Sequence, residues 1–316
     1  MTSLLTNHGA ISALANLRQI SQELSTNQRQ VSSGLRVQHA SDDAAYWSIG
    51  TTMRSDSKAL SAVEDALGLG AAAVDTAYTG MSAAIEVVME IKAKLVTARE
   101  ASVDKLKINE ELEQLKDQIY SIVESASFSG QNWLHRFDDT DDADKQVVGS
   151  FTRTANSVSL QTLTYDMSNQ WGTNHLIDEN YHNGILTNVE FARELGLTTE
   201  WVLLSGKNHD IHEDMILTAD TTEQDIDEMV SVLEMMLGAM ADAGARLGAL
   251  VSRIEMQTEF VADLRDATDR GVGRLVDAEM HEAATRSKAL ETQRQMATQA
   301  LSIANTQPDI LLRLFQ

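Results

Sequence analysis

Two clusters of side chains have the chemistry of metal ligands. His209 and His212 stand three residues apart in HDIHED (209–214), with His175 and His182 upstream. Imidazoles at that spacing can share a zinc ion when a helical turn presents both. No helical pattern surrounds these, so solvated surface is the favoured reading. DDTDDAD (138–144) gathers five carboxylates in seven residues, the hard oxygen donors that calcium prefers. It lacks the glycine at the sixth position and the glutamate at the twelfth that an EF-hand loop requires, so it reads as an acidic surface loop. The chain has no G-x-S-x-G, H-E-x-x-H or glycine-rich phosphate loop, the patterns that place nucleophiles, zinc or phosphates. Cysteine is absent, which removes disulfides, thiolate metal sites and cysteine nucleophiles. No catalytic residue, cofactor or metal is expected, and the chain does not read as an enzyme. Met229, Met235, Met236 and Met240 read as core filler rather than as a binding groove.

The informative side chains are those that join helices. In QVSSGLRVQHASDDAAYWSI (30–49), Ser33-Gly34 is a flexible break and Ser41 a candidate helix N-cap, with Asp42 and Asp43 in the first turn, where the helix dipole favours negative charge. The stretch reads as a joint where one helix stops, the chain crosses over and another helix starts. A second joint is expected at Arg270-Gly271-Val272-Gly273.

The elements around the joints follow from hydrophobic spacing. Ala10, Leu14, Leu17, Leu24, Val31 and Leu35 recur at steps of three and four, with Ser21 and Gln28 in the seam. This predicts an amphipathic helix whose stripe is too thin to offset the ordering cost of ~1–2 kcal/mol per residue unless a partner covers it. From residue 42 to about 99 the steps continue through Leu60, Leu67, Val74, Met81, Val88 and Leu95, a coiled-coil signature. Ile108, Leu112, Leu115, Ile119 and Ile122 predict a helix folded back on it, ended by FSGQN (128–132). Residues 127–222 change character: strands are expected at 146–151 and 157–166, and a short helix at 190–195 stopped by Gly196. The helix reopens at Thr221-Thr222-Glu223 with a stripe through Leu233, Met240, Leu247 and Ile254. A last thin stripe, Val276, Met280, Ala283, Leu290, Ala297, Leu301 and Ala304, has Ser287 and Arg294 in its seam. Pro308, the only proline, and the apolar tail (310–315) are expected to end the chain in an exposed apolar patch that needs a cover.

The chain therefore reads as mainly α. It is a nested antiparallel long helical bundle with a coiled coil formed by both chain ends, which should lie side by side, and a small β-rich or mixed central insertion. The net charge of −22 over 316 residues argues against nucleic acid as a partner. Residues 127–222 hold fifteen acids and five bases, whereas 1–40 hold one acid and three bases. A solvated middle and associating ends would produce that distribution. Glu234 interrupts the apolar run at 230–240, so membrane insertion is not expected. The N-terminus lacks a charged n-region and a continuous apolar core, so no cleaved secretory signal is expected.

Two distant motifs now carry a resemblance. VSSGLRV (31–37) followed by SDDAA (41–45), and RLVDAE (274–279) followed by Ala304-Asn305, Pro308 and Leu311-Leu312, resemble the two ends of bacterial flagellins. The likeness covers roughly 1–135 and 223–316. The AYWSI and NWL variants look most like flagellins of rhizobia and related alphaproteobacteria. Gln30 stands where the family usually has arginine, Tyr46-Trp47 replaces a Gly-Leu type pair, and EIKAKLVT (90–97) departs from the pattern that the animal innate receptor reads.

The resemblance implies a structural subunit that polymerises into the extracellular filament used as a propeller for swimming. Residues 1–41 and 271–316 would form the inner filament core, 42–135 and 223–270 an outer tube, and 136–222 a solvent-exposed variable domain. Leu14, Leu17, Leu24, Val31, Leu35, Met280, Leu290, Leu301, Leu311 and Leu312 would make the core interface and order on assembly. Gln30, Ser33, Gly34, Arg36, Asp42, Asp43, Tyr46, Trp47, Gly271, Gly273 and Arg274 would make the inter-domain joint. Implied partners are other copies or related flagellins, an export chaperone, the type III export apparatus, and the hook-associated junction and cap proteins. Arg18, Arg29, Arg36, Arg286, Lys288, Arg294 and Arg313 fit inter-subunit ion pairs and solvated charge equally well. The alternative functions are a hook–filament junction protein, which usually shows Asp-Asp-Pro where this chain has Asp43-Ala44, and a coiled-coil scaffold. A scaffold has no need of amphipathic ends or of the joint motif.

Overall fold

The computed structural model describes residues 6–137, 144–154, 157–179, 183–205 and 213–314; the side chains of 213 and 307–314 lie outside the described set. Six helices and eight strands follow in the order α1 (His8–Ser33), α2 (Ala44–Ala98), α3 (Lys105–Ser125), β1 (Ser127–Phe128), β2 (Gln131–Asn132), β3 (His135–Arg136), β4 (Lys145–Arg153), β5 (Val158–Tyr165), β6 (Ile177–Asp178), α4 (Glu190–Glu194), β7 (Trp201–Val202), β8 (Glu213–Asp214), α5 (Glu223–Val276) and α6 (Met280–Leu314). The mainly helical fold with small central sheets is the one expected. The chain forms two compact units, one of Met1–Lys58 with Arg265–Gln316 and one of Ala59–Leu264.

In the unit of 59–264, one core runs through the long helices and the segment between α3 and α5. Leu67, Val74, Met81, Val88, Ile91 and Leu95 of α2 are buried with Leu112, Ile119 and Val123 of α3 and with Met229, Leu233, Met236, Met240, Leu247 and Ile254 of α5. The methionines fill the core as expected, Met235 at its margin. Asp104 caps α3 by accepting from Leu106 N (3.2 Å). At the start of α5, Thr222 Oγ1 accepts from Asp225 N (3.2 Å) and Asp225 Oδ2 from Thr222 N (2.7 Å), a reciprocal cap that satisfies two orphan donors.

The central segment forms four separate two-stranded sheets. The hairpin β4–β5 is antiparallel from Lys145–Tyr165 to Arg153–Val158, with a bulge between Val148 and Ser150. The strands and the short helix stand where the spacing placed them, and Gly196 takes φ 70° past the end of α4. A buried polar layer was not foreseen. Arg136 pairs with Asp178 (3.1 Å) with both side chains nearly inaccessible, and His135 lies 3.2 Å from Glu179.

His175 is wholly buried in that layer. Its Nδ1 is 3.2 Å from Thr173 Oγ1, and the Thr173 hydroxyl also lies 3.3 Å from Asn183 O. Burial, and then the nearby Lys145 ammonium, push its pKa down from 6.5 to about 3, against the pull of Asp178. A folded value below the unfolded one means full stability above about pH 6.5, lost as pH falls from there towards 3. Opening of this layer is expected to rise roughly tenfold per pH unit below 6.5, read from Trp133 and Trp171 fluorescence. His175→Leu should flatten the response, and an unchanged acid midpoint in that variant would refute the assignment.

Two expectations are corrected. The second crossing lies at 277–279, because α5 continues to Val276 through Gly271 and Gly273. A Cβ at Gly271 would lie 2.7 Å from Met53 Cε, so these glycines admit a neighbour rather than break the helix. The cap of α2 is Asp43, not Ser41: Asp43 Oδ1 accepts from Ala45 N and Tyr46 N (3.0 Å each). The helix α6 runs through Pro308; the Ala304 carbonyl that the proline leaves without a helical donor accepts from Asn7 Nδ2 (2.7 Å).

Candidate functional site

His182, His209, His212 and 138–143 lie outside the described residues, and no group of three or more metal-binding side chains meets among those described. No described helix is long and apolar enough to cross a membrane. The residues that do converge are those of the joint and of the paired ends, all within the unit of 1–58 and 265–316.

Ser33 Oγ donates to Arg29 O (2.8 Å) and Gly34 N–H to Gln30 O (2.9 Å), closing the last turn of α1. Gly34 sits at φ 71°, the left-handed cap that only glycine takes without strain. The chain then runs extended beside the end of α5. Leu35 bridges Asp277 in antiparallel register. Arg36 N and Val37 N both donate to Val276 O (2.7 and 3.2 Å), and Ala278 N donates to Gly34 O (2.9 Å). Arg36 Nη2 donates to Leu275 O (2.8 Å), and Gln30 Nε2 to Arg36 O (3.4 Å). The two crossings are thus one stitched structure. Beneath it Val37, Val272 and Val276 are buried, with Leu35, Met53 and Leu275 packed against them. Gly50 leaves the room this needs: a Cβ there would stand 2.6 Å from Val276 Cγ2.

Electrostatics finishes the turn. Asp42 Oδ2 accepts from Gln38 N and His39 N (3.0 Å each), and the His39 and then the Gln38 backbone bonds hold its carboxyl below the usual carboxylate range. The Arg36 guanidinium lies 5.4 Å from the centre of the Tyr46 ring, within cation–π range. Arg29, Gln30, Arg36, Asp42, Asp43 and Tyr46 line a cavity of about 330 Å³. Ser33, Trp47 and Arg274 are exposed, and a Cβ at Gly273 would lie 2.9 Å from Asp277 Oδ2.

α1 and α6 pair antiparallel, since Asn27 Nδ2 donates to Ala283 O (2.8 Å) near the joint and Asn7 reaches Ala304 at the far end. Leu24 and Leu290 are buried, while Leu17, Val31, Leu35 and Leu301 are half-buried. Leu14 (37 %), Met280 (45 %) and Ile303 (65 %) remain exposed, and the side chains of Leu311 and Leu312 lie outside the described residues. Sequence spacing missed Asn7, Asn27 and the valine cluster. Asn27 had a signal, three residues after Leu24 and so on the same face.

A chain whose two ends pair as a half-covered coiled coil, held to the following helices by a double crossing stitched through the backbone, has the form of a self-assembling helical subunit. Residues 4–138 match the bacterial flagellin N-terminal helical region, and residues 230–315 the bacterial flagellin C-terminal helical region. Over the full length of both chains it is 48 % identical to Flagellin C of Rhizobium meliloti (strain 1021), 41 % to Flagellin A of Rhizobium meliloti, and 36 % to Flagellin of Brucella melitensis biotype 1. The chain belongs to the bacterial flagellin family. It is a structural subunit that polymerises into the extracellular flagellar filament of motile cells.

Proposed function

We propose that the regions take separate places in that filament: 1–41 with 271–316 inside, 42–135 with 223–270 around them, and 136–222 facing solvent. The observation that carries this is the incomplete seam of α1 and α6. Two long helices that bury only Leu24, Ala283 and Leu290 as apolar side chains among those described gain too little to fix their own backbone. Neighbouring copies would cover Leu14, Met280, Ile303 and the groove between the pair that Ala13, Ile20, Ala297 and Ala300 line. The ends therefore order on assembly. The acidic 127–222 stretch suits the solvated position.

The remaining roles follow the same reading. The subunit leaves the cell through the flagellar type III channel, held beforehand by a chaperone. It meets the hook-associated junction and cap proteins at the filament's two ends, and copolymerises with related flagellins or with itself. It takes no cofactor, catalyses no reaction, and binds neither nucleic acid nor the membrane interior. Limited proteolysis tests the central claim. Soluble chain should be cut first near 38–42 and 277–279, leaving a stable middle, whereas sedimented filament resists. Equal protection of the two states would defeat it.

A further inference from the structure

The double crossing fixes one end of the α1–α6 pair; the other end lies more than twenty residues away along a thin stripe. What holds it is an unusual hydrogen bond. In an α-helix the carbonyl of residue 304 would accept from the N–H of residue 308. Residue 308 is proline, the only one in the chain, and α6 passes through it. Proline has no N–H to give and crowds the carbonyl four residues back, so Ala304 O needs another donor. Asn7 Nδ2 supplies it at 2.7 Å. The same side chain turns its Oδ1 to Ala10 N (2.9 Å), capping α1. One asparagine thus satisfies an orphan donor of its own helix and an orphan acceptor of the partner helix, through opposite ends of its amide.

We propose that Asn7 and Pro308 act as a two-part clasp: Pro308 withholds the helical donor from Ala304 O, and Asn7 provides one from the other end of the chain, which positions the far ends of α1 and α6 for assembly. The position is specific. Elsewhere along α6 each carbonyl before the last turn has its own N–H four residues on, so a displaced Asn7 meets an acceptor already occupied. Asn27 does not duplicate this role, since its acceptor, Ala283 O, is followed four residues later by Ser287 with its N–H intact. Asn7 is a positioning residue. Its importance for the filament rests on the proposed inner position of the ends, but the clasp itself can be measured separately.

The absence of native cysteine makes the measurement clean. Ala13→Cys and Ala297→Cys place one thiol on each helix, in the groove between them, and the rate of disulfide formation reports how closely the far ends are held. Rates are taken on soluble full-length chain and on sedimented filament, in four backgrounds: unchanged, Asn7→Ala, Pro308→Ala and both. Asn7→Ala alone strands a carbonyl and should slow cross-linking roughly tenfold, one lost hydrogen bond plus an unsatisfied acceptor. Pro308→Ala returns the helical donor to Ala304, so adding Asn7→Ala to it should slow cross-linking clearly less than Asn7→Ala does alone, what remains being the lost cap of α1. An equal slowing in both backgrounds, or none in either, overturns the clasp, as does a failure of the unchanged pair to cross-link in both states. A chain that cross-links in solution but never sediments as filament counts against the assembly reading and leaves the clasp standing.

Discussion

Replacing Leu24 with aspartate is expected to abolish filament formation at concentrations where the unaltered chain assembles fully, with the helix content of the 59–264 unit unchanged. Leu24 is the one apolar side chain of α1 that is buried in the single chain, at 3 % exposure, beside the equally buried Asn27. The substitution removes a transfer gain of about 1.5–3 kcal/mol. It also puts a carboxylate where, among the described side chains of α1 and α6, no cation is buried. The group either takes a proton at a raised pKa or forces the pair apart. Either route costs several kcal/mol, and about 3 kcal/mol already corresponds to more than a hundredfold in critical concentration. Leu24→Met keeps the volume and should assemble within a few-fold of the unaltered chain. Sedimentation of polymer against total concentration reads both. Filaments from Leu24→Asp at the ordinary critical concentration would show that α1 does not pack in the filament as it packs on α6.

The sequence disclosed which residues form stripes but not which members of a stripe are covered. Leu14 and Leu24 belong to the same stripe, yet one is exposed and the other buried. Burial depends on what the facing helix brings to each level, and spacing within one helix carries no record of that. The first joint was legible because Gly34 and the Asp42-Asp43 pair have local reasons to be there. The choice between Ser41 and Asp43 as cap was not, because Asp42 first folds the backbone of Gln38 and His39 into a turn and delays the helix. The second joint was misplaced for a related reason. Two glycines close together resemble a break, but at Gly271 the space is taken by Met53, more than two hundred residues away in sequence. The polar layer around His175 was illegible outright: histidines, Arg136 and Asp178 in an acidic, loop-rich stretch look solvated. Only tertiary pairing makes their burial tolerable.

A glycine inside α2 gives the second large effect, and there two opposing terms can be weighed. At Gly70 alanine would ordinarily stabilise the helix by about 0.8–1 kcal/mol. Here a Cβ would stand 2.1 Å from Val147 Cγ1 and 3.0 Å from Cγ2. Val147 cannot swing away, because its β-branched side chain has little rotamer freedom and it is 4 % exposed. Its strand β4 is held to β5 along the full hairpin. The clash must lift the hairpin from α2 or bend the helix, and overpacking of that kind costs about 1–3 kcal/mol or more, so Gly70→Ala is expected to destabilise by about 1–2 kcal/mol net. In a Val147→Ala background both methyl groups are gone and only the Cβ, at 3.1 Å, asks for a small shift. The same Gly70→Ala change should then be neutral or stabilising, since the helix propensity term is no longer opposed. The two backgrounds differ in the sign of the effect, and urea unfolding of the four chains of that cycle measures it directly. A coupling below about 0.5 kcal/mol, the ordinary scatter of additive sites, would mean that β4 does not rest on α2 at Gly70, and that the hairpin is held by Leu163 and Tyr165 instead.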